Sequence, residues 1–270
     1  MINRDLYIDF NTKLINDEFL YYLNTPGKFG TISKRNEIIK FFQQNTFYKH
    51  EKDLWNSSDE IKQKIILNRI KYLNKDIDEL TSIDILTGFK RAGMYYGFSH
   101  FNPLWFKWFI EKYKISSCYD PCGGWGHRLL GGLSLKKYIY NDLSITTKEN
   151  VDNIINFFGI QNTETYSNDA RKFIPDFDFE AMFTCPPYFN IEHYECGDFK
   201  NMEEYNNFID CLFNTFINKQ SCKIFGIIIR EDLLDIKKYV PNETYLLQKY
   251  KSQHITKNKQ FYEKLYFYFK

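Results

Sequence analysis

The chain lacks any apolar run long enough to span a bilayer. Its longest aliphatic stretch, IFGIII at Ile224 to Ile229, falls far short of the roughly 20 residues a spanning helix needs. It also lacks a basic-then-apolar leader, since it opens MINRDLYIDF. Both absences predict a soluble, cytoplasmic protein. Cysteine is sparse and shows no CxxC spacing: Cys118, Cys122, Cys185, Cys196, Cys211 and Cys222 are expected to be reduced thiols, because 270 residues can bury a core without staples. Zinc and helix-turn-helix patterns are missing. His193 stands between Glu192 and Glu195 but has no second histidine at ligand spacing, which argues against a metal. No repeat or low-complexity block appears. Neither sign of charge dominates, with 36 basic and 34 acidic residues leaving +2, so only a local patch can mark a polyanionic partner.

Aromatic residues are plentiful, with 26 Phe and 21 Tyr. Together with the wealth of Asn, Lys and Ile, they read as the composition of an AT-rich coding sequence rather than as a base-stacking surface. The length suits one α/β catalytic domain with an appended segment. The pattern changes near residue 100, which divides the chain into a mostly helical region, 1–95, and a catalytic domain, 96–270. In the first part Ile61, Ile65, Ile66, Ile70 and Leu73 recur at helical spacing, and a second helix capped by Thr81 or Ser82 ends near Gly88. Thr25 to Asn36, TPGKFGTISKRN, reads as a mobile cationic loop.

Beyond residue 100, helices alternate with short strands rich in β-branched and aromatic residues, which predicts a mostly parallel sheet. Strands are expected at 116–120, 137–142, 164–168, 180–184, 223–229, 245–250 and 264–269. Only a turn-like KNKQ segment separates the last two, so they should form an antiparallel pair at one edge. The fold class is therefore α/β, with five strand and helix units closed by a hairpin.

The first strand runs into DPCGGWGHRLLGG, Asp120 to Gly132. Gly123, Gly124 and Gly126 precede a helix there, which lets backbone N–H groups approach a ligand. Asp142 ends the second strand about 20 residues on, where Rossmann-like folds place a ribose-binding acid. Asn168 and Asp169 end the third strand. His127 and Arg128 open the following helix, where a cation opposes the helix dipole; either a ligand contact or a solvated pair would explain them. The fourth strand ends in FTCPPYFN, and its paired prolines force the chain out of the sheet at the carboxyl end, the ligand-binding end of an open α/β sheet. The aromatic residues from Phe101 to Phe109 read as packing onto the sheet.

DPCGGWG resembles motif I of amino-methyltransferases, and TCPPYFN resembles their motif IV, an Asp, Asn or Ser followed by Pro, Pro and an aromatic. With KRAGMYYGFSHFNP, the stretch from about residue 85 to residue 270 is similar to phage and mobile-element DNA methylases. The resemblance implies a Rossmann-like class I methyltransferase fold and S-adenosylmethionine as cofactor. Asp120 would hold the cofactor's amino group, and the turn of Cys122, Gly123, Gly124 and Gly126 would cradle its methionine part. Asp142 would take the ribose, and Asn168 or Asp169 the adenine amino group.

At the catalytic end, Cys185, Pro186, Pro187 and Tyr188 would do the chemistry. The side chain at 185 and the Pro186 carbonyl accept the hydrogens of an exocyclic amine, while Tyr188 stacks on a base flipped out of duplex DNA. Phe189, Asn190, Glu192 and Tyr194 would line the pocket, and Lys34 and Arg35, with Lys28 and Lys40, would touch phosphate. Cys185 departs from the pattern because sulfur is a weak acceptor. Its near-isostere Ser is associated with cytosine N4, so the target leans toward cytosine over adenine N6. A covalent thiolate mechanism is disfavoured because Cys185 precedes the prolines instead of following one. Alternatives are methylation of RNA or of protein glutamine, or a catalytically weak nucleic-acid-binding subunit.

Overall fold

Alternation along each strand sends neighbouring side chains to opposite faces of a sheet, and here it builds two cores. A computed structural model of the chain describes residues 12–30, 37–43, 59–80, 88, 101–189, 197–251 and 260–270. Strands β1 (Ser117–Asp120), β2 (Lys137–Asn141), β3 (Thr163–Tyr166), β4 (Ala181–Thr184), β5 (Ile224–Arg230), β6 (Glu243–Lys251) and β7 (Gln260–Phe269) form one seven-stranded sheet in the order β3-β2-β1-β4-β5-β7-β6. The first five are parallel, and β7 runs antiparallel to both β5 and β6. The predicted terminal hairpin is present. Its second strand lies inside the sheet, between β5 and β6, which leaves β6 at the edge.

The helices are α1 (Thr12–Asn24), α2 (Glu37–Phe42), α3 (Asp59–Leu73), α4 (Pro103–Tyr113), α5 (His127–Gly131), α6 (Ile145–Phe158) and α7 (Met202–Asn218). Local chemistry sets their ends. Asn102 accepts the Leu104 N–H at 3.1 Å ahead of Pro103, and Ser144 and Asn201 cap α6 and α7 through the N–H groups of Thr147 and Glu204. Gly159 closes α6 in the left-handed conformation. Residues 167–180, between β3 and β4, hold no helix, and β5 is followed only by a short 3-10 turn, Glu231–Leu233. The expected five strand and helix units are thus incomplete: the crossovers after β3 and β5 are made by loop.

On one face Cys118, Tyr138, Tyr140, Phe183 and Phe267 meet α1, α2, α4, α5 and α6. On the other face Tyr119, Ile139, Met182, Phe225 and Tyr268 meet α7. The phenylalanines are consumed here: Phe109 stacks on Phe267 at 5.4 Å and tilts against Phe183 at 4.9 Å, as the packing reading of the 101–109 segment expects.

Helices α1 and α2 are not a separate unit. Ile15, Tyr22, Ile38 and Ile39 are buried in the same core as the sheet. Gln43, fully buried, donates to the Trp125 carbonyl at 3.2 Å and accepts from Asn150 at 2.9 Å, tying the end of α2 to the glycine turn and to α6. The loop beginning at Thr25 is also docked. The Gly27 N–H donates to Glu111 at 2.9 Å and the Lys28 N–H to the Leu104 carbonyl at 3.1 Å, so its first residues are held on α4 where the sequence suggested mobility. The predicted helix over 81–87 lies outside the described residues. No helix among the described residues is long and apolar enough to cross a membrane.

Candidate active site

The carboxyl ends of β1, β2, β3 and β4 lie side by side, and the predicted motifs leave the sheet there. Asn141, fully buried, fastens three of these ends. Its amide donates to the Pro121 carbonyl at 3.0 Å and the Asn168 carbonyl at 2.9 Å, and its oxygen accepts the Asn168 N–H. Sequence reasoning passed over Asn141, although a polar residue closing an otherwise apolar strand is a signal for it.

The glycine turn requires its glycines. A Cβ at Gly123 would sit 2.0 Å from the Tyr140 ring, and the Tyr140 hydroxyl donates to the Gly124 carbonyl at 2.7 Å. Gly124 has φ +60 with nothing within 4 Å of a Cβ, so this residue faces open space. Its N–H donates to Asp142 Oδ2 at 2.8 Å, while Asp142 Oδ1 accepts the Ser144 N–H at 2.9 Å. Burial pushes the Asp142 carboxyl above its ordinary value, opposed by these two hydrogen bonds. Gly126, buried, begins α5. Cys122 follows Asp120, and burial beside the carboxylates of Asp120 and Asp142 pushes its thiol up, keeping it protonated at neutral pH.

Asp120 departs from its expected role. It is fully buried, and its carboxylate takes hydrogen bonds from Arg128 Nε at 2.5 Å, the Tyr138 hydroxyl at 2.7 Å, the Thr184 hydroxyl at 3.1 Å and the Cys122 N–H at 3.3 Å. Protein donors therefore occupy the acceptor positions a cofactor ammonium would need. Arg128 is likewise buried, donating also to the Cys122 carbonyl and lying 5.4 Å from the centre of the Phe101 ring. It is not a solvated surface cation. Asp169 is held by a bidentate contact with Arg171, which lowers its carboxyl below the usual range, and Asn168 is exposed.

At β4 the residue before Cys185 is Thr184, whose hydrogen bond to Asp120 joins the proline segment to the glycine turn. Cys185 is half-buried, Pro186 is buried and Pro187 half-buried. Tyr188 differs from an exposed stacking platform: it is 7% exposed within the second core, and its hydroxyl donates to Glu263 of β7, a residue the sequence reading missed. Phe189 packs 5.9 Å from the Tyr205 ring. Asn190, Glu192, Tyr194, Lys34 and Arg35 lie outside the described residues, and so do Ser99 and His100. Lys28 is exposed, and Lys40 pairs with Glu37 at 3.1 Å. Among the described residues no cluster of metal-ligating side chains occurs.

These residues fit a nucleoside-bearing cofactor. The open side of Gly124, the half-buried Asp142 and the exposed Asn168 follow three adjacent strands, with acceptors suited to ribose hydroxyls and an adenine amino group.

The strand order, with β7 antiparallel between β5 and β6, defines a Rossmann-like class I methyltransferase fold. No family model and no curated protein matches the chain. Among solved structures it is similar to an S-adenosylmethionine-dependent O-methyltransferase from Thermotoga maritima, at 9% identity over 66% of this chain and 69% of that one, with a TM-score of 0.40. It is also similar to a dimethyladenosine transferase from Plasmodium falciparum, at 16% identity over 58% of each chain and a TM-score of 0.39. A third is an rRNA methylase from Streptococcus thermophilus, at 14% identity over 56% of this chain and 86% of that one, with a TM-score of 0.36.

Proposed function

We propose that the chain is an S-adenosylmethionine-dependent methyltransferase acting on the exocyclic amino nitrogen of a DNA base. The observation that carries this reading is the hydrogen bond from Thr184 to Asp120, which sets a Pro-Pro-Tyr segment beside a glycine turn at the ligand end of the sheet. A binding turn alone would suit any nucleotide. A proline-rich segment that turns backbone carbonyls out of the sheet beside it suits an amine acceptor, whose lone pair is delocalised into its ring and whose hydrogens need acceptors.

In this reading Asp142 takes ribose hydroxyls and the open face of Gly124 lets the cofactor close on the backbone. The acidic residue available there is Asp142, since Asp120 is committed to Arg128. The bound cofactor supplies an electrophilic methyl on a sulfonium. The Pro186 carbonyl accepts one amine hydrogen, and packing of Tyr188 and Phe189 against the second core excludes water. DNA is proposed as the substrate because the three sequence segments resemble phage and mobile-element DNA methylases, and a base in a duplex must be flipped to reach this depth. Cys185, nearly isosteric with Ser, favours cytosine N4.

The test is methyl transfer from labelled S-adenosylmethionine to duplex DNA and to RNA of the same sequences, with nucleosides identified by mass spectrometry and Tyr188→Ala as control. N4-methylcytosine in the DNA is expected. N6-methyladenine would move the target to adenine, label in RNA alone would remove DNA as substrate, and no label in either would end the nucleic-acid reading.

A further inference from the structure

Trp125 sits between two glycines in the left-handed region, Gly124 at φ +60 and Gly126 at φ +95. Neither neighbour carries a Cβ, so local sterics restrain the peptides on either side of Trp125 less than at an ordinary turn residue. The preceding residue's N–H is the one that meets Asp142 at 2.8 Å. Contacts from outside the turn supply the missing restraint. From the sheet, the Tyr140 hydroxyl holds the Gly124 carbonyl at 2.7 Å. From the helices, Gln43 holds the next one. Fully buried, it donates from Nε2 to the Trp125 carbonyl at 3.2 Å and reaches the Thr147 carbonyl at 3.5 Å, while its Oε1 accepts from Asn150 Nδ2 at 2.9 Å. Two carbonyls facing its NH2 group fix which way the amide points.

The partners of this one amide belong to the two segments that carry Gly124 and Asp142. Trp125 follows Gly124 in the turn. Thr147 and Asn150 lie early in α6, which is capped by Ser144, and the Ser144 N–H is itself held by Asp142 Oδ1 at 2.9 Å. Turn and α6 are therefore joined twice, directly through Gly124 and Asp142 and again through Gln43. Helix α2 places Gln43. Its N–H bonds to the Ile39 carbonyl at 2.9 Å, Ile38 and Ile39 are fully buried, and Ile39 Cδ1 lies 3.8 Å from a Cβ built on Gly126. The start of α2 is held in its turn by the Glu18 carboxylate of α1. Across a separation of 82 residues, a side chain from the predicted 1–95 region thus reaches the turn of the predicted catalytic domain.

We infer that Gln43 is a positioning residue for the cofactor: by fixing the Trp125 carbonyl and the start of α6 together, it holds Gly124 and Asp142 in the geometry that binds. Gln43 acts through the turn and touches no reacting atom. Helices α1 and α2 then belong to the cofactor site, so the binding unit begins well before the catalytic domain drawn from the sequence. This inference rests on the reading that the glycine turn holds S-adenosylmethionine.

The experiment compares the full chain with Gln43→Leu, Gln43→Glu, Asn150→Ala and Ile110→Ala, measuring S-adenosylmethionine affinity by calorimetry well below every melting temperature. Gln43→Leu keeps the bulk and removes donor and acceptor, so affinity should fall about tenfold, the scale of a lost hydrogen bond. Gln43→Glu keeps an oxygen for Asn150 but, ionised, has no donor for the Trp125 carbonyl, and it should lose at least as much. Asn150→Ala leaves the Trp125 contact in place and should lose less. Ile110→Ala lowers stability through α4 in the same core and should leave affinity near wild type. With labelled cofactor and duplex DNA, the KM for S-adenosylmethionine should rise in step with Kd in Gln43→Leu, while kcat at saturating cofactor holds. Wild-type affinity in Gln43→Leu, or an equal loss in Ile110→Ala, would overturn the inference and leave methyl transfer standing. A wild type that binds the cofactor but labels no duplex DNA would overturn the DNA reading alone, and the calorimetry would still decide this inference. A wild type that binds no S-adenosylmethionine would overturn the cofactor reading, and this inference with it.

Discussion

The Arg128 guanidinium meets the Asp120 carboxylate at 2.5 Å, with side-chain exposures of 5% and 0%. The pair lies under the glycine turn and receives the Tyr138 and Thr184 hydroxyls, so β1, β2, β4 and α5 converge on one buried charge. Its value is organisational, because a buried ion pair gains little net stability yet is expensive to break on one side.

Arg128→Met should therefore destabilise the fold by about 3–5 kcal/mol in urea denaturation, since it leaves Asp120 buried without its cation. Adding Asp120→Asn to that variant should recover part of the loss, because the amide carries no charge: its oxygen can accept from one of the Tyr138 and Thr184 hydroxyls, which meet different carboxylate oxygens in the wild type, and its NH2 can donate to the other hydroxyl's oxygen. Equal melting of Arg128→Met and wild type would show that the pair organises nothing.

Gly123→Ala tests the close approach of turn and sheet. A Cβ 2.0 Å from the fully buried Tyr140 ring cannot be accommodated without moving one of them, and overpacking of this kind typically costs about 1–3 kcal/mol. The turn would shift with it, so cofactor affinity should fall alongside the melting temperature. Loss of one without the other would separate the turn's packing from its binding role.

The strands were legible because each is a short run of β-branched and aromatic residues bounded by turn formers; β1, β2 and β4 fall within a residue of expectation. The insertion of β7 between β5 and β6 was not, because alternation specifies faces but not neighbours. The motif segments around Asp120, Gly123 and Cys185 were legible from the glycines and paired prolines at the strand ends together with the resemblance to motifs I and IV of amino-methyltransferases. Their partners were not: Arg128 and Glu263 become meaningful only when distant segments meet, at separations of 8 and 75 residues from Asp120 and Tyr188. Gln43 and Glu18 were invisible for the same reason, since a buried polar residue in an amphipathic helix has the same local pattern as a solvated one.

Asp142→Ala should weaken S-adenosylmethionine binding by roughly tenfold to a hundredfold, the scale of losing hydrogen bonds to a charged group. It also frees the Gly124 N–H, so part of the loss will come from the turn. Because burial holds the Asp142 carboxyl above its ordinary value, wild-type affinity should begin to weaken at a higher pH than an ordinary aspartate would set, as the protonated form loses its acceptor strength. Calorimetry across acidic pH checks this; a flat profile in the wild type would remove Asp142 from the cofactor site.

Glu18 makes stability depend on pH. Its carboxylate, 2% exposed, accepts the N–H groups of Glu37 and Ile38 at 2.5 and 3.2 Å through one oxygen. The other oxygen, Oε1, is buried with no hydrogen-bond partner among the described residues. Burial pushes the carboxyl from 4.5 up to about 7, against the lowering effect of the two backbone hydrogen bonds. Between those values the folded chain keeps a proton that the unfolded chain has released, so the folded state is progressively disfavoured as pH rises through the window, and the loss levels off above it. The full span corresponds to a loss on the order of 3 kcal/mol. Glu18→Gln removes the ionisation while keeping an oxygen for the two N–H groups. Denaturation at about pH 5 and about pH 8 should show the wild type losing stability over that interval and the Gln variant losing less, so that the variant is the more stable of the two at the higher pH. Parallel loss in both proteins would assign the pH dependence elsewhere and leave Glu18 ionised at neutral pH.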